Sequence, residues 1–282
     1  MQTFTTPHSV ALTIRFAGGS LQVLAERRDT ATVEISPANP ASTADVEHAA
    51  ATTVEQRGNE IVIIAPDNKR WFGRTPKLDV KVTAPTDSGL TAFVESADVR
   101  LRGPLGSVDV NSASGNVRVE HAASLTVSTA SGDVWGDSIG GDGRVKTASG
   151  DVRLTDVTGT GDVTTASGDI QIHSVNGDVN LRSASGDATV GTVGGSVTAK
   201  TASGDIRVDS VTTGSVEIDS ASGDVWLGVA PGTAAWLEVQ SLSGDVTSEL
   251  QSSDAPTEDG PSVSIRARTL SGDVAIRRAV VR

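Results

Sequence analysis

The sequence predicts an all-β fold, a single-chain β-solenoid or parallel β-helix-like rod of about ten coils of roughly 18 residues each. Three observations predict it: a short motif returning at near-constant spacing, two alternating runs inside every copy, and a composition built for strands and turns.

The motif comes first, because a missed repeat misreads the whole fold. Ser112-Ala113-Ser114-Gly115-Asn116-Val117 is followed by Thr129-Ala130-Ser131-Gly132-Asp133-Val134. The core returns at Ser149-Gly150-Asp151, Ser167-Gly168-Asp169, Ser185-Gly186-Asp187, Ser203-Gly204-Asp205, Ser222-Gly223-Asp224, Ser243-Gly244-Asp245 and Ser271-Gly272-Asp273. Its central serines are 17, 18, 18, 18, 18, 19, 21 and 28 residues apart.

Within a copy, apolar residues alternate with polar ones over short runs, the period of a half-buried strand. Val152 and Leu154 flank Arg153, turn residues follow from Asp156 to Gly161, and Val163 and Thr165 flank Thr164. Stacking copies in register aligns Val117, Val134, Val152, Ile170, Ala188, Ile206, Val225, Val246 and Val274 as one inward column. A single coil cannot bury its apolar face alone, so only stacking closes the core. At about 4.8 Å per rung, ten coils would make a rod near 50 Å long.

Composition agrees. The chain has 30 glycines, no tyrosine or cysteine and 3% aromatic residues, with Val, Thr, Ser and Ala throughout. The absence of cysteine excludes disulfides, thiolate catalysis and cysteine metal sites. The net charge of −12 argues against nucleic acid, whose phosphates need cations. No stretch reaches the apolar length of a membrane span. No secretory leader is visible at the start, so the chain as written is expected in the cytoplasm, and at the cell surface only if a leader is missing.

Residues 1–92 lack the motif and read as irregular β coils with an N-terminal cap, including one short helix over 42–52 with a serine cap and an early aspartate. Residues 93–282 read as the regular solenoid, with a flexible acidic, Pro/Gly-rich insertion at 248–261.

These features, with the opening Phe4-Thr5-Thr6-Pro7, the segment PKLDVKVTAP from Pro76 to Pro85, GTAAWLEV from Gly232 to Val239 and VSIRARTLSGDVAIRR from Val263 to Arg278, resemble a bacterial, actinobacterial-type β-strand-repeat family. It is a domain of unknown function that carries a provisional adhesin label. The resemblance implies a β-repeat fold over essentially the whole chain and supplies no catalytic residues.

The sharpest chemical feature is the column Asn116, Asp133, Asp151, Asp169, Asp187, Asp205, Asp224, Asp245, Asp273. Carboxylates one rung apart repel by roughly 0.9 kcal/mol per neighbouring pair even in water. Local hydrogen bonding to turn N–H groups is the expected compensation. A calcium ladder through Asp133, Asp151, Asp169, Asp187, Asp205, Asp224 and Asp245 is the alternative, although Asp follows Gly directly, unlike the calcium-binding nonapeptide pattern. The four histidines have no metal spacing, and no nucleophile elbow or phosphate loop occurs. Candidate binding residues are the basic-aromatic cluster Arg70, Trp71, Phe72 and Arg74, and the outward Trp135 and Trp226. Expected isolated, these two tryptophans would lie five coils apart, too far to clamp one sugar.

The expected function is a non-catalytic structural or interaction scaffold, adhesin-like, that binds a protein or polymer and needs no cofactor. The alternatives are a calcium-binding β-roll-like module and a polysaccharide-active β-helix enzyme. The last repeat is expected to form the exposed end of the rod. Its arginines, Arg266, Arg268, Arg277, Arg278 and Arg282, would repel a second such end and keep the chain a monomer, with end-to-end association as the alternative.

Overall fold

A computed structural model describes residues 1–6, 8–67, 75–250 and 260–279. They form a nearly all-β protein with one helix, divided into two compact units, Met1–Gly140 and Gly141–Arg282.

The first unit contains β1 (Gln2–Thr5), β2 (Ala11–Glu26), β3 (Thr30–Pro37), α1 (Thr43–Ala51), β4 (Thr53–Arg57), β5 (Glu60–Ile64), β6 (Lys77–Pro85), β7 (Gly89–Ser112), β8 (Val117–Ser128) and β9 (Val134–Ile139). The long strand β2 supplies a whole coil because it bends at Gly19, where φ is +122° and an added Cβ would collide with the Leu78 carbonyl oxygen. One edge of β2 pairs in parallel with β5 and then β6; the other pairs in parallel with β7. β7 carries β8, and β8 carries β9, again in parallel. The coil made of β5 and β6 therefore lies outside β2, although it follows β2 in sequence.

This outer coil is closed by a change of direction. β4 covers β5, β3 covers β6 and β1 covers β3, all antiparallel. The helix adds to the cap over 43–51, one residue inside each end of its expected span. Ser42 caps it by accepting the Asp45 N–H, and the buried Asp45 carboxylate accepts from Ser42 Oγ and the N–H groups of Asn39 and Lys77.

The second unit contains β10 (Gly143–Lys146), β11 (Val152–Val157), β12 (Gly161–Thr164), β13 (Ile170–Val175), β14 (Val179–Ser183), β15 (Ala188–Val193), β16 (Val197–Ser203), β17 (Ile206–Val211), β18 (Gly214–Ser222), β19 (Val225–Val229), β20 (Ala234–Ser243), β21 (Val246–Ser248), β22 (Ser262–Ser271) and β23 (Val274–Arg278). Even-numbered strands stack in parallel from β10 to β18, and odd-numbered strands from β11 to β19. Val152, Ile170, Ile206 and Val225 on one face and Val145, Val163, Leu181, Ala199 and Ile218 on the other are essentially inaccessible to water.

Beyond β19 the order along the stack departs from the order along the chain. β18 pairs with β22 and β19 with β23, while β20 and β21 pair with the far sides of β22 and β23. The last repeat in sequence is thus inserted, and the coil of residues 234–248 is outermost in this unit. This corrects the expectation that the arginine-bearing last repeat forms the exposed end. It also corrects the column position of Val246, which is 48% exposed while Val274 is fully buried. The long spacing of 28 provides the chain length for this return. Of the expected insertion at 248–261, residues 251–259 lie outside the described residues.

Candidate functional site

The aspartate column is a structural ladder. In the first unit Asn116 N–H donates to Asp98 Oδ1 at 3.2 Å, and Asp133 N–H donates to Asn116 Oδ1 at 3.0 Å. In the second, Asp169 donates to Asp151 at 3.1 Å, Asp187 to Asp169 at 3.0 Å, Asp205 to Asp187 at 2.9 Å and Asp224 to Asp205 at 2.9 Å. The ladder follows the spatial order, since Asp273 donates to Asp224 and Asp245 to Asp273, both at 2.8 Å. The expected compensation was local to each turn; these bonds instead run from coil to coil. A charged acceptor makes each one stronger than a neutral bond and offsets the mutual repulsion of the carboxylates. Asn116 does the same with a neutral oxygen.

The Ser/Thr that opens each motif also has a backbone partner in the earlier coils. Ser112, Thr129, Thr147, Thr165 and Ser183 accept from the N–H of the glycine three residues on, at 3.0–3.2 Å. The later corners are different. Gly204, Gly223, Gly244 and Gly272 take φ of +140° to +149°, and the strands before them, β16, β18, β20 and β22, run on to Ser203, Ser222, Ser243 and Ser271. The N–H groups of Gly204, Gly223 and Gly272 then reach the next coil's serine carbonyl at 3.0 Å. This leaves the hydroxyls of Thr201, Ser220 and Thr269 buried without a partner. Glycine is required in both corner types for a reason besides φ: a Cβ on Gly168 would lie 1.9 Å from the Gly150 carbonyl oxygen, and one on Gly223, in a later corner, 2.2 Å from that of Gly204.

Among the described residues, no group of three or more His, Asp or Glu side chains is arranged to hold a metal ion. The cluster Arg70, Trp71, Phe72, Arg74 lies outside the described residues. Trp135 is half-buried in an outward row with Arg100 and Arg118, and Trp226 is half-buried in a row between Arg207 and Ala275. The two rows belong to different units.

Two features escaped the sequence reading. The first is a groove of about 590 Å³ in the first unit, lined by Arg15, Phe16, Asp67, Phe93, Glu95 and Asn111 among others. The Arg15 guanidinium carbon stands 5.2 Å above the centre of the partly exposed Phe93 ring, within cation–π range. Arg15 and Phe93 are register partners of β2 and β7, which no periodicity within either strand reveals. The second is an ion cluster on the outermost coil of the second unit. Glu238 accepts two hydrogen bonds from Arg266, at 2.8 and 3.0 Å, and one from Arg268 at 3.1 Å. Hydrogen bonds from Arg266 and then Arg268 hold the Glu238 carboxyl below the usual carboxylate range, and Glu238 in turn raises Arg266.

The profile of the Toastrack DUF4097 family matches residues 10–188 and 145–277. The chain belongs to the Toastrack DUF4097 family. The overlapping matches fit the fold, because a Toastrack is itself built of repeats that can be aligned in more than one register. No curated protein sequence matches this Toastrack chain. A crystal structure from Clostridium sporogenes, of a protein provisionally named for cell adhesion, spans 98% of each chain at 10% identity with a TM-score of 0.23. At that score it carries no argument about this Toastrack. No helix among the described residues is long and apolar enough to cross a membrane.

Proposed function

We propose that this Toastrack chain is a non-catalytic interaction scaffold whose partner is a protein. The observation that supports the reading most is the use made of its repeated polar side chains. The aspartates and most of the corner Ser/Thr hydroxyls, the residues that recur often enough to build an extended active surface, are engaged in bonds to backbone N–H groups. The residues left for recognition are irregular ones carried on that frame, foremost Arg15 over Phe93 in the groove of the first unit. A guanidinium beside a half-open aromatic face suits a segment that presents a carboxylate next to an apolar side chain.

The reading is tested by probing the full chain, its R15E variant and its F93S variant against arrays of acidic and neutral peptides and of polysaccharides. Saturable binding to acidic-apolar peptides, reduced about tenfold or more by either substitution, is expected from the loss of one anchor residue. Release of sugar fragments from any polysaccharide would overturn it in favour of an enzyme.

A further inference from the structure

Among the described residues, the outermost coil of the second unit ends in an open strand edge. β20 pairs only with β22 among the described residues. Its Ala234 N–H donates to Pro261 O, so by alternation the N–H and C=O groups of Ala235, Leu237, Val239 and Ser241 face away from the stack. The large side chains here are uncovered: Trp236 is 66% exposed, Leu242 82% and the inward Leu237 41%. An unpaired edge with exposed apolar residues is a template for another strand.

The side chains of β20 specify which strand. Its outward residues read Trp236, Glu238, Gln240, Leu242, apolar at both ends and polar between, symmetric about Val239. We propose that this edge pairs with the same edge of a second copy, antiparallel, about a two-fold axis through Val239. Such an isologous contact closes on itself and forms a dimer rather than a filament. In this register the outward-facing N–H and C=O groups of Leu237 meet those of Ser241 of the other copy, and Val239 meets Val239. Trp236 lies opposite Leu242, and Glu238 opposite Gln240. Shifting the axis by one residue to Glu238 would set two carboxylates against each other, which is unfavourable across a strand pair.

The charges behind the edge continue the pattern. Glu217, Arg266 and Glu238 are register neighbours across β18, β22 and β20, as are Asp219, Arg268 and Gln240. The first row ends in an acid and the second in a neutral amide. A glutamate at 240 would also have suited Arg268, but it would face Glu238 of the second copy. The arginines of β22, expected to repel such a contact, lie one coil inward and neutralise Glu238.

Sedimentation velocity on the full chain and on two exposed-surface variants, Q240K and Q240E, tests the register. Thermal melts of each variant, run at a concentration where the chain is monomeric, separate any effect of the Arg268 neighbour on the fold from the change in assembly. The parent is expected to dimerise, Q240K to tighten the dimer and Q240E to weaken it. Two symmetry-related cross-strand pairs should shift affinity between about twofold and thirtyfold in each direction. A chain that stays monomeric up to its solubility limit overturns the proposal. A dimer that responds alike to both substitutions overturns it too.

Discussion

The carboxylate oxygen Oδ1 of Asp187 accepts the backbone N–H of Asp205 at 2.9 Å, one coil further on. The same relationship repeats along each unit, so the Gly-Asp of the motif is a stacking device. The glycine lets the corner backbones approach, and the aspartate fixes their spacing.

The approach can be tested at Gly168. Its substitution by alanine places a methyl 1.9 Å from the Gly150 carbonyl oxygen, a clash that only backbone movement relieves. A loss of about 3 kcal/mol or failure to fold is expected, whereas Gly58→Ala, with φ of +62° and open space around it, should lose about 1 kcal/mol. Denaturant titration of both variants measures the contrast; equal effects would show that the stacked corner is not close-packed.

Thr165 and Thr201 occupy the same motif position and should respond oppositely. Thr165→Val leaves the Gly168 N–H unpaired in a buried corner and should destabilise by about 1–3 kcal/mol. The Thr201 hydroxyl is buried without a partner, so Thr201→Val should be neutral within about 0.5 kcal/mol or stabilising. Matching losses in thermal melts would mean that one corner geometry serves every coil.

Ile170→Asp introduces a charge between two closed faces and should destabilise by about 4 kcal/mol or more. Val246→Asp, in the same motif position but on the outermost coil, should be tolerated, because Val246 is already half in water. Severe unfolding of the second variant would contradict the inverted order of the last two coils.

The repeat, its two strands per coil and the capped helix were legible because each depends on neighbours in sequence: alternation at Val152 and Leu154, Ser42 ahead of Asp45. The order of coils at both ends was not. Every coil presents the same motif, so β20 and β22 are interchangeable to a reader of periodicity, and only their flanks differ. β22 alternates strictly through Val263, Ile265 and Ala267, as a strand covered on both sides must. β20 breaks alternation at Trp236-Leu237, a sign of an edge. The Arg15–Phe93 contact was hidden for the same reason, since it depends on register between strands far apart in sequence.

Acid should loosen the Glu238 cluster. A carboxyl held below its ordinary value of 4.5 contributes stability above that value and loses it as pH falls through the lowered one. The contribution is small at a fully exposed site. An NMR titration of the Arg266 and Arg268 side-chain N–H signals should show a step below the ordinary carboxylate value that is missing in Glu238→Gln. A step at or above the ordinary value would contradict the depressed pKa.

The central claim is that the aspartate ladder binds backbone and not metal, and melting of Asp187 variants with calcium or chelator tests it most directly. Asp187→Asn keeps the acceptor oxygen and removes one repelling charge, so it should melt like the parent. Asp187→Ala leaves the Asp205 N–H without its acceptor and should lose about 1–2 kcal/mol. Neither profile should move with calcium. A large calcium-dependent rise in the parent's melting temperature, abolished by Asp187→Asn, would contradict the claim and make the ladder a metal site.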